Sequence, residues 1–276
     1  MPVIALTHEM GSLAKDIALE LGKVAGLAVL SHEVEDNVAG RMQVATSVIR
    51  RVREGKAGLV ERMSTDGRQF AIYTAEEVYA LAERGNVVLR GWGATMLLAP
   101  VSHVVRVRVT RPFDSRVRWV MEHLGTDDRD FAENEVRRSD NAHAARMHAT
   151  FGVNWGDPQL YDLVLNTERI GVESGATLIL ALAARAEFQE TDGSRAVLAG
   201  LALSSRVRAA LKANEATRDV DVNIDSSGGK VVLSGIVLNE AQKVQAARVA
   251  AGVAGVASVD DRLRVMAMRR FTYSKT

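Results

Sequence analysis

The chain opens with an apolar run, VIALT at residues 3–7, reaches a glycine at position 11, and continues at once with helical spacing. Leu13, Ile17, Leu21 and Val24 share one face of that helix, while Lys15, Asp16, Glu20 and Lys23 lie mainly elsewhere. A strand buried on both sides reads as a continuous apolar run, and such strands occur where helices cover both faces of a parallel sheet. Strand, glycine turn and helix in that order are the first unit of an α/β fold.

The alternation continues. Residues 36–54 and 75–84 read as helices, NVVLRG (86–91) and VVRVRVT (104–110) as strands, and 112–124 and 128–148 as heavily charged helices. YDLVLN (161–166) is a further buried strand, followed by a helix over 173–187. The stretch 189–195, QETDGSR, has no apolar residue and marks a boundary. Beyond it the order becomes helix (204–214), strand (218–225), Gly-Gly turn, strand (230–237), helix (239–252) and strand (256–266). The SSGGK turn between two alternating strands is a strong hairpin signal. The expected organisation is an α/β domain over 1–190, a linker over 191–199, a small αββαβ domain over 200–268 and a basic tail over 269–276.

Composition narrows the function. With 276 residues and 47% apolar content, the chain has enough material to bury a core. Its formal charge of +1 lacks the global field that draws in DNA or RNA, so no nucleic-acid partner is expected. There is no cysteine, which excludes disulfides and thiolate chemistry. The N-terminus has no basic region ahead of its apolar run, and the longest uncharged apolar stretch, Ser174–Ala184, is well short of the roughly 20 residues that span a bilayer. A soluble, cytoplasmic protein is expected.

A phosphate-cradling loop needs glycines for close backbone approach, a lysine for the terminal phosphates and a hydroxyl for the metal. In THEMGSLAKDI, Gly11, Ser12 and Lys15 are candidates, but Asp16 stands where the hydroxyl belongs. By spacing alone, a plain strand–helix connection is at least as good a reading. His143 and His148 are five apart and share a helical face poorly, so no metal site is assigned to them.

The wider sequence resembles the cytidylate-kinase-like family of P-loop nucleoside monophosphate kinases over residues 3–187. VIALTHEMGSLAKDIALELG is similar to that family's opening, GNVVLRGWGATMLLA to its "GRGA" turn, and VVRVRVTRPFDSRVRWVMEHLG to the strand and arginine-bearing helix before its lid. FGVNWGDPQLYDLVLNTERIGVESGATLIL is similar to its "DLVINTxRL" ending. The resemblance implies ATP and Mg²⁺ as cofactors, bound by Gly11, Ser12, Lys15, Asp16, Arg137 and Arg138. It implies a monophosphate held by Arg90, Gly91, Trp92 and Gly93, and Lys15 and Arg146 as the catalytic cations. No residue of the chain is assigned as a metal ligand. Leu13 and Ala14 replace two family glycines, Trp92 an arginine, and His143 another. Two readings follow: an ATP-dependent, CMP-like nucleoside monophosphate kinase with a degraded phosphate turn and weak or lost activity, or a non-catalytic nucleotide-binding or scaffold protein that self-assembles or docks on a partner or membrane through the second domain.

Residues 200–266 resemble a BON domain, on SSRVRAALKAN, VDVNIDSSGGKVVLSGIV and VAGVASVDDRLRVM, with Gly235, Gly255, Val256 and Val259 at that family's turn and strand positions. The resemblance implies contact with proteins or a phospholipid surface, without chemistry. Its sheet edge suits self-association, so a homo-oligomer or a protein partner through this domain is expected.

Overall fold

The computed structural model describes residues 1–30, 32–53, 56–58 and 66–266. The basic tail expected at 269–276 lies outside the described residues. Two compact units divide after Leu198.

The first unit is a five-stranded sheet of β1 (Val3–His8), β2 (Ala28–Leu30), β3 (Val87–Arg90), β4 (Val104–Thr110) and β5 (Leu163–Asn166), in the order β2-β3-β1-β4-β5. Every pairing in it is parallel. Helices α1 (Ala14–Ala25), α2 (His32–Met42), α3 (Thr46–Arg53), α4 (Gly67–Arg84), α5 (Ala94–Leu97), α6 (Phe113–Leu124), α7 (Arg129–Phe151) and α8 (Val172–Ala183) accompany it. The central strand is apolar because both its faces are covered, and Val3 through Leu6 are all at most 1% exposed. Ile17 and Leu21 of α1 join Ile4, Leu6, Val107, Leu165 and Ile179 in one core. This is the parallel sheet flanked by helices that the opening residues imply. It adds β2, a three-residue strand held at the sheet edge by pairing with β3.

Helix α9 runs from Asp192 to Ala213, so the expected linker at 191–199 is a helix instead. Its start explains why the stretch reads as a break. Thr191 Oγ1 accepts from the Ser194 N–H at 3.1 Å and Ser194 Oγ from the Thr191 N–H at 3.0 Å, a reciprocal cap built from polar residues.

The second unit contains β6 (Asn223–Ser227), β7 (Lys230–Val237), α10 (Glu240–Ala251) and β8 (Ser258–Val265), with the end of α9 packed against the sheet. The strand order is β6-β7-β8, the first pair antiparallel and the second parallel. Gly228 and Gly229 both take positive φ, 56° and 81°, the backbone of a two-residue hairpin turn. Val207, Leu211, Ile224, Val231, Leu233, Ala246 and Leu263 form a core of its own.

Candidate functional site

The carboxyl ends of parallel strands leave a crevice where the chain departs to opposite faces of the sheet. Here β1 ends at His8, and a cleft of about 530 Å³ opens beyond it. It is lined by the turn after β1, the first residues of α1, the end of β3, and one side each of α6 and α7.

The turn is tightly specified. Gly11 has φ 76°, and a Cβ there would sit 3.1 Å from the carbonyl oxygen of Arg116, so any side chain there is strained. Leu13 caps α1 at φ 61° with no side-chain cap. Among the described residues, the N–H groups of Leu13, Ala14, Lys15 and Asp16 have no acceptor. Ser12 is 1% exposed, its Oγ makes no hydrogen bond, and its carbonyl accepts from Thr167 Oγ1 at 2.9 Å. Lys15 is exposed and in no ion pair among the described residues. The start of α1 therefore offers unspent donors, the positive end of a helix and a cation. Asp16 in the same turn subtracts from that potential.

Behind the turn lies a buried charge network. Glu9 accepts from Arg108 at 2.8 Å and from Thr110 Oγ1 at 2.6 Å, and lies 3.5 Å from Arg116. Arg116 donates to both oxygens of Asp140 on α7, at 3.0 and 2.9 Å. Burial pushes the Asp140 carboxyl above its ordinary value, against the opposing pull of Arg116. Arg108 also donates to the Trp155 carbonyl at 2.8 Å and lies 4.1 Å over the Trp155 ring. The Trp155 indole donates to Thr7 Oγ1 at 2.9 Å, and His143 stacks on Trp155 with centroids 4.3 Å apart.

Of the residues expected to handle nucleotide, Gly11, Ser12, Lys15, Asp16, Arg90, Gly91, Trp92 and Arg146 line the one cleft. Arg90 reaches His8 Nε2 at 3.3 Å, and Arg146 donates to the Val52 carbonyl at 3.2 Å. Gly91, Trp92 and Gly93 are successive left-handed residues at φ 90°, 62° and 68°. For a tryptophan that conformation is an outlier, imposed by its neighbours. Trp92 both packs and faces the cleft, 9% exposed and tilted against Phe70 at 6.2 Å. Trp119 and His123 of α6 stack in parallel at 4.5 Å and add an aromatic wall.

Three expected residues stand apart. Arg137 pairs with Glu133 at 3.2 Å and lies over Phe113, Arg138 pairs with Glu135, and neither lines the cleft. Gly93 does not line it either; its place is set by the Phe151 ring, 2.8 Å from where a Cβ would be. Conversely, Glu9, Arg108, Arg116 and Trp155 have no local spacing that joins them in the sequence. An acidic residue directly after a buried strand was the available signal. Among the described residues no group of three His, Asp or Glu could hold a metal ion.

The chain matches the cytidylate kinase-like family over residues 3–169 and the BON domain over residues 201–267. The cytidylate kinase of Staphylothermus marinus is 23% identical over 157 residues, 56% of this chain and 88% of that protein. The osmotically-inducible protein Y of Escherichia coli is 39% identical over 64 residues, 23% of this chain, which spans only 32% of that protein. A crystal structure of an uncharacterized protein from Eubacterium ventriosum shares the fold, with a TM-score of 0.53 and 20% identity, over 67% of this chain and 100% of that one. A parallel sheet with a donor-rich turn after its central strand, and a matching family over more than half of the sequence, lead to one assignment: the chain belongs to the cytidylate kinase-like family and carries a BON domain behind it.

Proposed function

We propose that the first unit binds nucleotide in the cleft and transfers a phosphoryl group from ATP to a CMP-like monophosphate, slowly for its fold. The observation that carries this is the meeting of unspent Leu13–Asp16 N–H groups, Ser12 Oγ and Lys15 at one end of a cleft that also holds Arg90, Trp92 and Arg146. Phosphoryl transfer needs little covalent chemistry from a protein. It needs positioned positive charge around the oxygens. Lys15 and the helix terminus would hold the donor phosphates, Arg90 the acceptor phosphate, and Arg146 the transferring group. A Mg²⁺ ion is bound mostly by phosphates and one or two carboxylates. Asp16 is the cleft carboxylate suited to it, because Glu9 is engaged by Arg108 and Thr110 and Glu135 by Arg138. When bound, the ion would neutralise phosphate charge.

A specific observation favours a second reading, a non-catalytic nucleotide binder. Leu13 occupies a left-handed position and neither Arg137 nor Arg138 lines the cleft, each being paired with a glutamate, so donor-phosphate contacts are fewer. Calorimetric titration with ATP and Mg²⁺, then with CMP, decides first, followed by a turnover assay. Binding of both with turnover abolished by Arg146→Ala supports the kinase. Binding of ATP without turnover leaves the second reading, and binding of neither removes both.

We propose that the second unit is an interaction module. Lys230 and Arg262 pair with Asp260 at 3.2 and 2.9 Å, and the unit's interior is aliphatic. Contact with an anionic phospholipid surface is tested by co-sedimentation with liposomes at low and high salt. Pelleting that weakens with salt supports it, and no pelleting at low salt removes it.

A further inference from the structure

The sheet of the second unit ends on β8, and the direction of its backbone groups is fixed by hydrogen bonds. Met266 N–H donates to Val237 at 2.9 Å and Ser258 N–H to Gly229 at 3.5 Å, so even-numbered residues turn toward β7. Val259, Asp261, Leu263 and Val265 therefore direct their N–H and C=O groups to the far side, where no strand lies among the described residues. One of these outward donors shows what the edge lacks: Leu263 N–H takes the carboxylate of its own neighbour Asp261, at 2.9 Å, in place of a strand carbonyl.

The side chains along this edge are complementary to themselves. Val259, Leu263 and Val265 face the core, which puts Asp260, Arg262 and Arg264 on the open face. Asp260 is bridged by Lys230 and Arg262, whereas Arg264 is exposed and in no ion pair among the described residues. We propose that β8 is a self-association edge, through which two copies of this chain pair antiparallel about Arg262. In that register Asp260 of each copy lies opposite Arg264 of the other, and Val259 opposite Val265. Asp261 and Leu263 exchange backbone hydrogen bonds. Slipping by two residues in one direction sets Arg262 against Arg264 twice and leaves Asp260 with no arginine opposite; in the other it sets the short Asp261 side chains against each other, whereas in the proposed register the one like-charge pair is Arg262 with Arg262, each bridged to Asp260 of its own copy at 2.9 Å. Arg262 faces its own copy across a non-hydrogen-bonded pair, with Cα atoms about 4.5 Å apart. The proposal is independent of what the cleft binds.

The absence of cysteine makes the test clean. On the full chain, light scattering after size exclusion should give twice the 29.9 kDa chain mass. Arg262→Cys should form a disulfide-linked dimer without added cross-linker, reversed by reductant. Arg264→Glu should weaken association about tenfold, from two new like-charge pairs. Asp261→Ala, which removes the competing cap, should strengthen it. Both Arg262 and Arg264 are exposed, so these variants fold. A mass of one chain at every concentration overturns the proposal. So does a dimer that Arg264→Glu leaves unchanged and that Arg262→Cys does not cross-link.

Discussion

Trp155 and Thr7 are 148 residues apart in sequence and joined by a 2.9 Å hydrogen bond from indole N–H to hydroxyl, buried between β1 and the loop after α7. Because the Thr7 hydroxyl accepts from the indole, its own proton is available to His143 Nε2, 3.4 Å away on α7. Trp155→Phe keeps an aromatic face for Arg108 and His143 but strands the Thr7 oxygen. A loss of about 1–3 kcal/mol is expected in denaturant unfolding. Thr7→Val in the same background should cost less than it does alone, since the two changes remove one bond.

Stability should fall with acidification through His103. The imidazole is 3% exposed, with Nδ1 2.7 Å from Ser194 Oγ, and faces Glu190, the Met1 amino group and Arg195. Burial holds it below the ordinary 6.5, with Glu190 opposing. The unfolded chain therefore takes up a proton first as pH drops through that value. The stability present above 6.5 is lost toward lower pH, with unfolding drawn along by the proton. His103→Gln should flatten this part of the slope of melting temperature against pH. An unchanged slope would show that other groups carry it.

Gly93 is required by its surroundings twice over, by its φ of 68° and by the Phe151 ring, which lies 2.8 Å from the place a Cβ would take. Gly93→Ala should cost about 1–3 kcal/mol. On a Phe151→Leu background the penalty should shrink, because the ring is the steric part of it, while the left-handed backbone remains. Equal penalties in both backgrounds would assign the whole effect to backbone strain.

Lys15 and Arg137 separate the cleft from its surroundings. Lys15 is exposed and in no ion pair among the described residues, so Lys15→Ala should leave the unfolding midpoint unchanged while weakening ATP about tenfold, or ~1.4 kcal/mol. Arg137, paired with Glu133 outside the cleft, should tolerate alanine with ATP affinity intact. Calorimetry on both variants reads the difference. Equal loss in the two would mean that α7 rearranges to bring Arg137 inward.

Much of the fold is legible in short range. Val3–Leu6 reads as a buried strand because it is one, and the Gly228-Gly229 pair announces the hairpin by the φ values it must adopt. β2 escapes notice because three residues, Ala28–Leu30, carry no periodicity; only pairing with β3 makes them a strand. The first turn of α9 is polar because capping residues are polar, and that same polarity imitates a linker. Within the site, Gly11, Ser12 and Lys15 are neighbours in sequence and are found together. Arg137 and Arg138 lie on α7, but they pair with Glu133 and with the cleft-lining Glu135 and do not line the cleft themselves, and charge alone does not give direction. The Glu9–Arg116–Asp140 chain joins three separate elements and has no signature in any of them.

Leu13 carries one more consequence. A leucine in the left-handed region costs about 1–2 kcal/mol relative to ordinary backbone, yet the turn keeps this shape. Its form is thus moulded from outside, by Thr167 gripping the Ser12 carbonyl and by the Arg116 backbone closing against Gly11. Both walls lie more than a hundred residues away in sequence, so the loop takes its shape from distant parts of the chain. Whatever enters the cleft meets a contour already set before it arrives.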